Sequence, residues 1–181
     1  MVSATPQLSI PYAEDTDPRG LYPTTDQDQA ERLEELLSAE SAQAQFIGAV
    51  DAGPAVPVVW NSLNTGFGGT WWTISGDMKT ITYHGPDRRI ALSLHMRMTA
   101  NGAMESACSL GPSTGNPGVG MSSVFQTDVG PLGQAIHTHR ISTIGWMGPS
   151  YFTTLVLDAR AEIPGPMAAD AEATLELHPI A

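Results

Sequence analysis

Lysine and cysteine each occur once in this sequence, at Lys79 and Cys108. A single thiol cannot close an internal disulfide, so the fold is not stapled by oxidation. Charge of either sign is scarce, with Asp, Glu, Lys and Arg together making up 15% of 181 residues, and the eight basic residues are outnumbered by nineteen acids. A net charge of −11 argues against nucleic-acid binding, which requires Lys and Arg to neutralise phosphates, and no nucleic-acid partner is expected. No apolar run approaches the length of a membrane span, so no membrane span is expected. No basic segment followed by an apolar one opens the chain, so the protein is expected to be made and folded in a cytoplasm. Motifs of catalysis are missing too. There is no Gly-x-Ser-x-Gly elbow, phosphate loop or paired-carboxylate motif, and neither enzyme activity nor a cofactor is expected.

What is present is a hydrophobic fraction of 41%, enough for a real core, with Ser, Thr, Gly and Gln filling the rest of the surface. A charge-poor surface suits packing against protein neighbours, because each charge brought into an interface must be desolvated. The acids are unevenly placed. Residues 1–51 hold ten of them against Arg19 and Arg32, leaving the remainder nearly balanced.

Residues 1–24 are punctuated by Pro6, Pro11, Pro18 and Pro23, which blocks helix and central strand and favours extended chain. Leu8, Ile10, Tyr12, Leu21 and Tyr22 are interspersed among them, as a plain linker would not require. The segment reads as an arm that lies on its own domain or along another subunit. A capping box at Thr25 and Asp28 and a body rich in Ala, Leu, Glu and Gln predict an acidic helix over 25–47. Leu33, Leu36, Leu37 and Ile47 would pack it on a partner, with Glu40 interrupting the apolar seam. Residues 48–55, with Gly48, Gly53 and Pro54, are expected to form a hinge.

From Val56 the period changes from 3.6 to 2. Ile90, Leu92, Leu94, Met96 and Met98 alternate with smaller or polar residues, and Ala171, Ala173, Leu175 and Leu177 do the same. TWWTIS and KTITYH read as a hairpin turning at Gly76-Asp77. With VPVVW, ESACSL, SSVFQT, QAIHTHRISTIGW and YFTTLVLDARA, eight or nine strands follow without a helix. The expected fold is mainly β, an antiparallel sandwich of jelly-roll type over 56–181, preceded by the extended Pro-rich arm and one short helix.

His137 and His139 stand two apart on a strand, so both imidazoles share a face, as a metal site needs. The carboxylate that should follow within a few residues is missing, and a further ligand such as His95 would have to come from the fold. The competing reading places both on a solvent or interface face. Trp71 and Trp72 are adjacent and must face opposite sides, one into the core. Together with Trp146 they are candidates for stacking on a sugar ring or for an interface. Cys108 reads as a buried structural thiol, and Leu110–Gly120 as a glycine-rich loop with nothing to pack in it.

The order of segments carries a resemblance. Thr5-Pro6-Gln7-Leu8-Ser9-Ile10-Pro11-Tyr12, then Thr16-Asp17-Pro18, then a short acidic helix resembles the N-terminus of appendage proteins of tailed phages infecting actinobacteria. The early Trp/Thr hairpin, long central alternating strand and final LELHPI strand resemble the trimeric heads of the tumour-necrosis-factor and complement type. The resemblance implies a virion structural protein, a homotrimer whose arm and helix dock on other virion proteins and whose β-domain projects from the particle. A minor tail or tail-tip appendage, a head-fibre or capsid decoration protein, and a module recognising a host glycan are the roles it leaves open.

Overall fold

A computed structural model describes residues 2–4, 11–13, 29, 40–66, 71–126, 133–164 and 167–180, in two compact units, Met1–Ala39 with Ala181, and Glu40–Ile180. In the first unit, β1 (Val2–Ala4) and β2 (Pro11–Ala13) pair antiparallel, with Ser3 opposite Tyr12. Gln29 is helical. Leu8, Ile10, Leu21, Tyr22, Leu33, Leu36 and Leu37 lie outside the described residues, and Tyr12 is placed by its backbone alone.

Among the described residues, the second unit contains eleven strands: β3 (Ala42–Asp51), β4 (Val56–Pro57), β5 (Ser62–Thr65), β6 (Trp72–Ile74), β7 (Thr80–Tyr83), β8 (Arg88–Asn101), β9 (Met104–Gly111), β10 (Gly120–Gln126), β11 (Gln134–Met147), β12 (Thr154–Glu162) and β13 (Ala168–Ile180). They form two antiparallel sheets. One has the order β11-β8-β13-β3-β5; the other runs β10-β9-β12-β7-β6, with β4 pairing to β12. The chain is mainly β, as the alternating pattern requires. β8 buries Ile90, Leu92, Leu94, Met96 and Met98 and turns the intervening side chains outward. The hairpin forms where expected, with Trp72 opposite Tyr83 and Met78 in the left-handed region closing the turn.

Residues 42–51 depart from expectation. They are not the end of a helix followed by a hinge but a strand, pairing with β13 from Asp51–Ala168 to Ala42–Leu177. Ile47 therefore sits on a strand, and Gly48 continues it. Gly53, placed in the hinge, is held instead by its N–H bonding the Ala161 carbonyl at 3.0 Å. Ala and Gln favour helix only by tenths of a kcal/mol per residue. Burial of Phe46, worth about 2 kcal/mol, and a ten-residue ladder outweigh that preference. Glu40, which broke the helical seam, is buried. Its carboxylate accepts the Trp71 backbone N–H, and its carbonyl accepts the Trp72 indole N–H, both at 2.8 Å.

The two sheets share one core. β8, β11, β13 and β3 contribute from one side, and β7, β9 and β12 from the other. The glycine-rich loop does pack. Gly115 N–H bonds the buried carboxylate of Asp158 on β12 at 2.6 Å, and Thr154 donates to the Pro112 carbonyl at 2.7 Å.

Candidate functional site

β11 buries every second residue from Ala135 to Ile141, and this register turns both His137 and His139 inward. The expected solvent or interface face is thus corrected, because the two imidazoles lie in the core between the sheets. Across the gap, β9 alternates with the same period and points Met104, Ser106, Cys108 and Leu110 at them. Ser106 Oγ lies 2.7 Å from His137 Nδ1 and 2.8 Å from His139 Nε2. The other ring nitrogen of His139 is 3.3 Å from Ser122 Oγ on β10.

One hydroxyl carries one proton. It can donate to one imidazole only, so the other imidazole must donate to it. Three polar groups then satisfy one another with both rings neutral, as groups in a low-dielectric interior must. Burial pushes both histidines below the ordinary imidazole value, and for His139 the neighbouring His137 adds to the effect. A hydrogen bond with the Ser122 backbone partly counters it at His139. Cys108 is buried, and its thiol is pushed up to about 12, which keeps it protonated.

As a metal site the pair is incomplete. Among the described residues, no group of three His, Cys, Asp or Glu could hold an ion. His95, the third ligand considered, pairs with Arg140 and faces outward, while His139 pairs with Met96. What the arrangement does chemically is tie one sheet to the other through neutral hydrogen bonds. Ser106 was missed in the sequence. Its signal was a hydroxyl at an inward position between Met104 and Cys108, which must find a partner.

The aromatic candidates separate cleanly. Trp72 is core, packed on Tyr83 at 4.7 Å between centroids. Trp71 is half-buried, edge-on to Tyr83, with the Arg88 guanidinium 5.4 Å from its ring centre. Trp72 presents no ring face to a sugar, and Trp71 has the Arg88 guanidinium over its ring. Trp146 does face solvent, 47% exposed, and stacks on Tyr151 at 5.4 Å and 21°. Tyr151 follows the Gly148 turn and was not singled out in the sequence.

A third feature is the outer face of the β11-β8-β13-β3-β5 sheet. Ile136, Ile144 and Trp146 stand out along β11, and Ile47 on β3 is 71% exposed. No helix among the described residues is long and apolar enough to cross a membrane. No protein-family model matches the chain, and no curated protein matches it in sequence.

Proposed function

We propose that this chain is a structural component of a tailed-phage virion, a trimeric minor tail or tail-tip appendage that acts by assembly rather than catalysis. Its N-terminal arm docks on the particle, and its β-domain projects outward. The observation that carries this reading is the division between interior and surface. The chemically suggestive pair, His137 and His139, is occupied with structural hydrogen bonds, while large apolar side chains stand exposed on the sheet with the longest strands. That is how a contact-making domain distributes its residues. A jelly-roll arrangement is supported by the connections, since the chain changes sheet from β7 to β8, β8 to β9, β10 to β11, β11 to β12 and β12 to β13.

Mass spectrometry of purified particles, with gold-labelled antibody against the β-domain, tests the reading. Label at the tail tip is expected. Label over the head would move the protein to a capsid-decoration role, and its absence from particles would refute a virion role. A second reading, recognition of a host glycan, is favoured by the exposed Trp146–Tyr151 stack. Trp146→Ala and Tyr151→Ala would then reduce adsorption, and unchanged adsorption with a silent glycan array would remove it.

A further inference from the structure

We infer that the outer face of the β11-β8-β13-β3-β5 sheet docks a second copy of this chain, offset sideways so that the β11/β8 half of one protomer meets the β13/β3 half of the next. The inference rests on the assembly reading for there being further copies, and on the following for the face.

Charge is sorted across this sheet by strand. The outward positions of β11 and β8 carry Arg89, Arg97, Arg140 and His95 and no acid. Those of β13 and β3 carry Asp51, Asp170, Glu172 and Glu176, with His178 as the one histidine, and no lysine or arginine. The chain has nineteen acids and eight Lys and Arg, so three arginines on two adjacent strands with no acid among them depart sharply from its average. Where the halves adjoin, Arg97 and Glu172 face each other at 3.5 Å. Arg140 lies on the outermost basic strand, and Glu176 is on β13, opposite Ser93 of β8, with its carboxylate accepting from Gln43 of β3 at 3.5 Å.

A net charge of −11 sets copies against one another unless local charges are matched. Sideways offset provides the match, because the basic half of one copy covers the acidic half of the next. The apolar residues are divided in the same way. Ile136, Ile144 and Trp146 project from β11, while Ile47 on β3 lines two grooves of about 380 and 340 Å³ that cross β13 to reach Arg97 and His95 of β8. An anionic partner would suit only the first half, and a cationic partner only the second. A second copy suits both.

Sedimentation equilibrium of the full chain, at about 50 mM and about 500 mM salt, tests the assignment. Four proteins are compared: wild type, Arg140→Glu, Glu176→Arg and the double reversal. Wild type is expected to self-associate. Each single reversal should weaken association about tenfold at low salt, and the double should return to within about threefold of wild type. High salt should shrink these differences. Far-UV circular dichroism guards against misfolding. A wild type that stays monomeric, or an oligomer indifferent to both reversals, overturns the inference. In the second case the appendage reading stands and only the face is wrong. Conversely, rescue in solution with no protein on particles would remove the appendage reading and leave the face.

Discussion

Two imidazoles share one serine hydroxyl in the interior, and their protonation is coupled to folding. Both histidines are held below the ordinary value of 6.5, so between that value and their folded values the unfolded chain binds more protons than the native one. Stability is therefore full above about pH 6.5 and falls as pH drops below it. The limiting slope is about 1.4 kcal/mol per pH unit for each histidine. Thermal melts from pH 8 to pH 5 should show a falling midpoint, and the paired His137→Gln, His139→Gln variant should flatten the part of the curve nearest pH 6. A variant as acid-sensitive as wild type would show that the carboxylates, not this pair, set the response. Ser106→Ala should cost about 1–3 kcal/mol in urea unfolding, because it removes the hydroxyl that both buried rings share. Ser122→Ala should cost less, since its contact is longer and reaches one ring only.

At the scale of elements, β3 is the informative case. Ala42, Ala44, Phe46 and Val50 alternate inward, a period-2 signal present in the sequence but overlaid by helix-forming residue types. What decides between the two is pairing with β13, whose residues lie far along the chain, and no local reading weighs that. β8, β11 and β13 were legible because their alternation is long and their residue types agree with it. The site was half legible. The His137/His139 spacing identified a shared face, but which face followed only from the register of β11 against β8. The consequence for boundaries can be measured. A chain of residues 40–181 should unfold cooperatively, whereas 56–181, lacking β3, should not, as read by calorimetry. The glycine-rich loop gives a second test. A Cβ on Gly111 would collide with the Asn116 carbonyl oxygen, so Gly111→Ala must displace the loop. A loss of about 2 kcal/mol or more is expected, with faster proteolysis between Pro112 and Val119.

At the largest scale, stability of the Glu40–Ile180 unit rests on one core shared by two sheets and not on any crosslink. The single thiol is buried and protonated, so an aromatic disulfide reagent should fail to label Cys108 at pH 8 until urea opens the core. Rapid labelling of native protein would place Cys108 at the surface instead. The division of strands between sheets was not legible from their sequences. β8, β11 and β13 of one sheet alternate in the same way as β9 of the other, and only the sheet order tells which strands face which.

That order bears on how the molecule comes into being. β13 lies between β8 and β3, joining the latest strand of the sequence to the earliest one of the same sheet. During synthesis, β3 emerges first and must wait for almost the whole domain before its partner arrives. Contacts so distant along the chain close slowly, and unpaired strand edges stay open meanwhile. A nascent chain of this kind would depend on chaperone protection. It would also withhold its finished surface until translation of the domain is complete, so that half-made copies cannot join an assembly.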